Sequence, residues 1–348
     1  MKEKILVAMS GGVDSGVSAY LLKEQGFDVI GAFMKLHELE NTKQEAKCAR
    51  LICESLGIEF HEVDLQKEFN KNVIDYFCSS YIEGKTPNPC VVCNKKMKFG
   101  ALLKVAQKLG ANKFATGHYA HIEQKDGNYI LKKADDDNKD QTYVLVYLDQ
   151  NMLSHTVFPL ANYKKWEIKK ISEDLNLPCT NKPESQDICF IKDQNYSNFI
   201  TQHSNYRPKA GNIKDERGNV VGKHKGLINY TIGQRRGIDV AFGSPMYVKE
   251  FDVKNNELIM APKEHLLQKT VMVKNININP AYECRESFKA EAKTRYRQKQ
   301  KPCYVEIDKT SNKLTLTFDD PILAVTPGQF AVIYDGNYVV GGGEIYNI

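Results

Sequence analysis

The chain has 348 residues, enough for two or three domains, and the longest apolar runs in its 42% of hydrophobic residues are strand-sized. A membrane helix needs roughly 20 apolar residues, so no spanning segment is expected, and the five apolar residues after Lys4 are too few for a signal peptide; a cytoplasmic protein is expected. Nine cysteines, an odd number, argue against a secreted disulfide scaffold and for reduced thiols, while a net charge of +5 matters less than where the basic residues cluster.

In chain order, 4–9 reads as a buried strand, 16–25 as a helix closed by Gly26, and 29–34 as a second strand of the continuous apolar type found in parallel sheets. A helix over 44–56 stops at Gly57, a strand follows over 58–65, helical patterns recur over 73–82 and 99–109, and 113–117 is a short strand. This alternation predicts an α/β domain with a parallel sheet and helices on both faces. After about Tyr206 the texture changes to short β-rich runs over 246–253, 257–260, 271–278, 290–296, 304–308, 313–318 and 330–334, separated by turn residues. Three parts are expected: the α/β domain over 1–206, a small β-rich linking domain over 207–268 and a C-terminal β-barrel over 269–348.

Between the first strand and the first helix stands Ser10-Gly11-Gly12-Val13-Asp14-Ser15. Successive backbone N–H groups, two hydroxyls and a helix N-terminus make a phosphate cradle, and Asp14 is a candidate for holding a Mg²⁺ that accompanies the phosphates. The G-x-x-x-x-G-K-[ST] pattern is absent, which argues against γ-phosphate transfer. The plain alternative is a tight structural turn.

The thiols carry the second signal. Cys90 and Cys93 follow a proline-stiffened loop, lie beside Lys95, Lys96 and Lys98 and precede a helix; positive neighbours and a helix N-terminus both lower a thiol pKa, so a reactive thiolate is expected there. Half a zinc site and a thioredoxin-type redox pair are the competing readings, and neither finds its expected context. Cys189, between Ile188 and Phe190, reads by itself as a buried small hydrophobe.

The cradle resembles the PP-loop of ATP pyrophosphatases, which activate a carbonyl oxygen as an adenylate. The whole chain resembles the tRNA-specific 2-thiouridylase family, which puts sulfur on C2 of the wobble uridine. The blocks that carry the resemblance are MSGGVDS (9–15), TPNP (86–89) with CNK (93–95), ATGHY (115–119), NKDQ (138–141), ICFI (188–191), TIGQR (231–235), KTRYRQ (293–298) and VTPGQ (325–329). The resemblance implies a sulfurtransferase that uses ATP and Mg²⁺. In it Cys189 carries a persulfide and Cys93 serves as nucleophile or resolving thiol, the two being able to form a disulfide. It places ATP on Ala8, Met9, Ser10, Gly11, Gly12, Val13, Asp14 and Ser15 with Met34 and Gly117, and the flipped target base at Asn88, Pro89 and Cys90. His118, Lys139, Asp140, Gln141, Arg295, Tyr296 and Gln329 are the positions it implies for tRNA contact. Implied partners are tRNAs of the glutamate, lysine and glutamine types and a cysteine desulfurase or sulfur-relay protein; no membrane is implied.

Many family members carry Asp where this chain has Cys90. Cys90, Cys93 and Cys189 would then be three thiols able to hold a [4Fe–4S] cluster, the alternative to persulfide chemistry. Cys48, Cys53, Cys78, Cys179, Cys284 and Cys303 match nothing catalytic and are expected to be packing or surface thiols. A basic strand carrying Lys293, Arg295, Arg297, Lys299 and Lys301 on one face, with Arg235 and Arg236 nearby, would track a phosphate backbone, although a charge run by itself is commonly a solvated face. A PP-loop amide ligase and a non-catalytic tRNA-binding protein are the other classes; the first would lack an ammonia source, and the second would not need the ATP and sulfur residues.

Overall fold

The structure, a computed structural model, describes residues 2–179, 188–191 and 195–346. Its first strand, β1 (Lys4–Ala8), buries Ile5, Leu6 and Val7 completely, as a strand covered on both faces must. α1 (Val13–Glu24) follows the glycine turn directly and so begins three residues earlier than the apolar pattern indicated. β2 (Asp28–Lys35), α2 (Glu40–Leu56) and β3 (Glu59–Asp64) come next, with Gly57 in the left-handed conformation ending α2.

Two helical runs then contain wide π-type turns, a geometry often associated with functional sites. The first is α3 (Gln66–Phe69), the wide segment Asn70–Ile74 and α4 (Asp75–Ile82); the second is α5 (Pro89–Cys93), the wide segment Asn94–Leu102 and α6 (Leu103–Lys108). β4 (Lys113–Ala115), a hairpin of β5 (His121–Lys125) and β6 (Asn128–Lys132), α7 (Gln150–His155), β7 (Thr156–Val157), α8 (Lys165–Asp174) and α9 (Tyr196–His203) complete this part. The sheet runs β3-β2-β1-β4-β7 and every pairing in it is parallel. This is the expected α/β domain.

A four-stranded unit follows, built from β8 (Gly211–Asp215), β9 (Val220–His224), β10 (Tyr247–Asp252) and β11 (Glu257–Ala261) in the order β10-β11-β8-β9. Ile213, Val248, Leu258 and Met260 supply its core. The chain then closes a six-stranded antiparallel barrel from β12 (Leu267–Ile278), β13 (Ser287–Lys293), β14 (Lys301–Asp308), β15 (Lys313–Leu323), β16 (Phe330–Asp335) and β17 (Tyr338–Ile345). Pairing of β12 with β17 shuts the barrel around Val271, Val273, Leu314, Leu316, Phe318 and Ile333. The hairpin of β5 and β6 leaves its own domain and joins the barrel, Lys132 pairing with Tyr338.

Two expectations change. The basic stretch 293–301 is not one strand: β13 ends at Lys293, the chain turns with Gln298 N–H donating to Arg295 O at 3.2 Å, and β14 starts at Lys301. The alternating lysines and arginines therefore do not share one face. Nor are all the thiols free. Cys48 on α2 and Cys179 beyond α8 form a disulfide with their Cα atoms 6.0 Å apart, a span typical of such bonds, and the remaining seven cysteines are free. The two cysteines are 131 residues apart, a pairing that no spacing rule foretells.

A link across 131 residues restrains the unfolded chain strongly. Denatured, unreduced protein is expected to titrate seven thiols rather than nine. Cys48→Ser is expected to lose about 2–5 kcal/mol in urea unfolding. Wild type in reductant should match the variant; equal stability with and without reductant would contradict the bond.

Candidate active site

The carboxyl ends of β1, β2 and β4 meet at the glycine turn, where open α/β sheets place their ligands. Gly11 has φ +72°, and a Cβ there would collide with the carbonyl oxygen of Glu45 and lie 3.0 Å from Cys48 Cβ. Only glycine lets the turn rest on α2. Ser15 Oγ donates to Gly12 O (3.0 Å) and lies 3.2 Å from Ser10 N, so the loop closes on itself with its N–H groups at the start of α1. Gly117, after β4, packs on the same loop: a Cβ there would stand 3.0 Å from the backbone of Asp14 and 3.1 Å from Ser15 N. Met34, at the end of β2, packs between the cluster under the sheet and the aromatic cluster beside the thiols. The positions expected at ATP, 8–15 with Met34 and Gly117, are thus brought together.

Asp14 meets two side chains that sequence reasoning missed. Its Oδ1 accepts from Tyr119 Oη at 2.8 Å and from Lys165 Nζ at 2.6 Å. Lys165 is the first residue of α8, and the buried Asp136 carboxylate accepts its backbone N–H at 3.0 Å, so the helix start aims it. Lys165 occurs in a lysine-rich stretch with nothing to mark it; Tyr119 lay inside the ATGHY block.

The thiols sit on the other side of Gly117. Asn88 caps α5 by accepting the N–H of Cys90 at 3.2 Å, Pro89 occupies the first turn, and Asn94 Nδ2 donates to Val144 O at 3.0 Å. Cys189 is flanked by Phe190, whose ring packs edge-on against Phe69 and Phe77 in the cluster that also receives Cys93. The residues 184–187 that precede Ile188 and Cys189 lie outside the described residues. Cys90, Cys93 and Cys189 are close enough that the charge of one raises the pKa of another.

Lys98 is the cation common to the three, lowering the pKa of each. Desolvation nevertheless prevails. Burial pushes Cys93 up to about 11, and the protein around them raises Cys90 and Cys189 too, although both of these are exposed at the surface. The expected thiolate is therefore a thiol in this structure, because protein mass around the site outweighs its lysines. Lys98 Nζ also lies 3.3 Å from Nε2 of His118, whose Nδ1 is 2.6 Å from Thr116 Oγ1. Burial first, then the Lys98 charge, hold His118 well below its usual pKa, so its neutral ring accepts from Lys98 and donates to Thr116.

The positions expected at RNA divide. Tyr296 is exposed and close enough to Cys90 to feel its charge, Arg297 and Lys299 are exposed beside it in the sequence, and Arg235 and Arg236 are exposed on the central domain. Asp140 is buried and takes the Thr142 hydroxyl at 2.8 Å, Gln141 Oε1 accepts Tyr119 N–H at 3.0 Å, and Lys139 is half-buried. His118, Arg295 and Gln329 are also engaged within the protein. Among the described residues no group of three or more His, Cys, Asp or Glu is arranged to hold a metal ion. Cys90, Cys93 and Cys189 are not grouped as such a set in this structure.

A glycine turn opening a helix at the carboxyl edge of a parallel sheet, joined through Gly117 and His118 to the cysteines of α5 and followed by two β-domains, has the architecture of a nucleotide-dependent enzyme. Family models match in three consecutive pieces: a tRNA methyl transferase HUP domain over 3–193, a tRNA methyl transferase PRC-barrel domain over 197–262 and an aminomethyltransferase beta-barrel domain over 268–345. The chain is 44% identical to tRNA-specific 2-thiouridylase MnmA 1 of Clostridium tetani, covering all of this chain and 98% of that one. It is 42% identical to tRNA-specific 2-thiouridylase MnmA of Clostridioides difficile, covering 99% and 98%. The chain belongs to the tRNA-specific 2-thiouridylase family.

With Cys93 near 11, its thiolate fraction rises about tenfold per pH unit below that value. Removing the Lys98 charge raises the pKa further and leaves less thiolate at a given pH. Lys98→Met is therefore expected to slow RNA-free alkylation of Cys93 at pH 8 by about three- to tenfold. Lys96→Met, at an exposed lysine, should leave the rate unchanged; peptide mass mapping after iodoacetamide pulses checks both.

Proposed function

We propose that this enzyme thiolates C2 of the wobble uridine of tRNA, using ATP to activate the C2 oxygen and a persulfide on Cys189 as sulfur source. The observation that carries the reading is the short path from nucleotide to sulfur: Gly117 packs on Asp14, and the adjoining His118 meets Lys98, which influences all three thiols. Activated oxygen and sulfur donor must meet at one base, and few residues separate their two sites.

The C2 oxygen attacks the α-phosphorus and pyrophosphate leaves, its charge met by the N–H groups of the 10–15 turn and by Lys165. A Mg²⁺ bound by phosphates and one carboxylate, such as Asp14, suits the site and would supply further neutralisation. The terminal sulfur of the persulfide then attacks C2 and AMP departs, leaving the base linked through a disulfide to Cys189. Cys93 attacks Cys189 Sγ, releasing the 2-thio base and forming a Cys93–Cys189 disulfide, so sulfane sulfur is reduced as two thiols are oxidised. An external thiol reductant and a cysteine desulfurase or sulfur-relay protein would restore the donor. Extrusion of the base from the anticodon stack, onto Asn88, Pro89 and Cys90, exposes C2.

The proposed division gives 1–206 the chemistry, 207–268 a linking role and 269–348 contact with tRNA through Tyr296 and neighbouring exposed basic residues. The glutamate, lysine and glutamine tRNAs are the proposed substrates and the cytoplasm the proposed location; no helix among the described residues is long and apolar enough to cross a membrane.

α-Labelled ATP with Mg²⁺ is expected to give AMP only when tRNA with an unmodified wobble uridine is present. Cys189→Ser and Cys93→Ser should each lower 2-thiouridine formation by at least about 10²-fold. AMP formed without RNA, or only with a small carboxylate, would instead support the amide-ligase reading, and a Cys189→Ser variant that thiolates at the normal rate would end the persulfide assignment.

A further inference from the structure

The loop leading into α5 is held from outside its own domain. Thr86 N–H donates to Pro327 O at 2.9 Å, and Gln329 Nε2 donates to Thr86 O at 2.8 Å, so both backbone polar groups of Thr86 are taken by the turn between β15 and β16. Gly328 stands between those partners with φ +87°, and a Cβ there would lie 3.0 Å from Lys85 Cβ and 3.1 Å from the Thr86 carbonyl. The two loops touch backbone to backbone. On the far side Gly84 (φ +73°) packs on Val253 and Phe251 of the central domain, where a Cβ would come within 2.6 Å of Val253 Cγ2. The barrel turn is itself braced: Arg295 Nη2 lies 2.7 Å from Ala324 O, 2.5 Å from Thr326 Oγ1 and 3.3 Å from Ile232 O of the central domain.

From Thr86 to Cys90 the chain has little freedom. Pro87 and Pro89 fix their own φ and restrict the residues before them, and Asn88 is tied to the N–H of Cys90. A shift of Thr86 is therefore passed to the first turn of α5 rather than absorbed.

We infer that Gln329 is a positioning residue: its amide, donated from the barrel to Thr86 O, sets where α5 presents Cys90 and Cys93. This rests on the reading of Cys93 as a working thiol. It gives Gln329 a task that exists before any RNA arrives, whereas the family resemblance implies only RNA contact there.

The test uses the full-length, reduced protein without ATP or RNA, so its result does not depend on thiolation. Gln329→Met keeps the side-chain length and removes the donor; Gln329→Glu lacks a donor while ionised and regains one when protonated. Iodoacetamide labelling of Cys90 and Cys93 is followed by peptide mass mapping, with exposed Cys284 on the barrel as internal standard. Gln329→Met is expected to change the labelling rate of both thiols by about threefold or more, with Cys284 unchanged. In turnover with tRNA, kcat should fall about tenfold while KM stays within about twofold. For Gln329→Glu, the variant-to-wild-type labelling ratio should return toward one as pH falls from 7 to about 4.5, and the Gln329→Met ratio should stay put. Wild-type labelling of Cys90 and Cys93 in Gln329→Met with only a raised KM for tRNA would overturn the inference in favour of RNA contact alone. A Glu variant whose ratio ignores pH would overturn it as well.

Discussion

The nucleotide end of this protein depends on one steric fact: the backbone of Gly11 lies directly against the backbone of α2, with no room for a side chain between them. That contact sets where β1 stops and α1 begins, and so where the N–H groups at the start of α1 converge. It also decides which way Asp14 faces. Held by the turn, Asp14 meets Gly117 from β4 and the side chains of Tyr119 and Lys165, so a carboxylate, a cation and a helix start share one small region. The same contact puts Cys48 under the loop, where its bond to Cys179 fastens the end of the α8 segment to the helix that supports the glycine turn. A glycine in the left-handed region, a parallel sheet and a covalent staple therefore act on one site.

The thiol end is governed by competition between burial and charge. Lys98 favours the thiolate of all three cysteines, yet desolvation holds them as thiols and pushes Cys93 up to about 11. Burial first, and the Lys98 charge after it, suppress protonation of His118, so the imidazole stays neutral and its lone pair faces the ammonium. The balance has a chemical consequence. The Cys93 thiol, kept protonated by burial, is quiet until its surroundings change.

Much of this was legible in the sequence, for identifiable reasons. Continuous apolar runs gave the central strands because β1 and β2 are buried on both faces, and the two glycines between strand and helix gave the tight turn that opens α1. Other features depend on contacts that no local pattern carries. β17 contains Gly341, Gly342 and Gly343 and is absent from the predicted strands, yet a Cβ at Gly342 would strike the carbonyl of Ala331 on β16, so close strand approach requires the glycine. Cys48 and Cys179 are joined across 131 residues, and Lys165 reaches Asp14 across 151. The error over Cys93 is the most instructive. Neighbouring lysines in the sequence argue for a low pKa, and Lys98 does act in that direction, but the sign of the net shift is decided by burial, a property of the folded chain alone.

The same reasoning explains why two β-domains accompany an α/β unit that could bind a nucleotide by itself. The 84–89 loop lies between Phe251 and Val253 of the central domain and the 327–329 turn of the barrel. Arg295 then links barrel to central domain through Ile232 O, so the three units brace one another around the entrance to α5. Thr86 has no helix or strand of its own to satisfy its backbone; both its polar groups find partners on another domain. Without the barrel those groups would turn to water and the proline-stiffened segment would lose its fixed end. The glycine turn can be built by β1, α1 and α2, which are local in sequence, but the position of Cys93 is a property of the assembled chain. An enzyme that must join a nucleotide site to a sulfur site on a large substrate thereby places the second under the control of domains remote from the first.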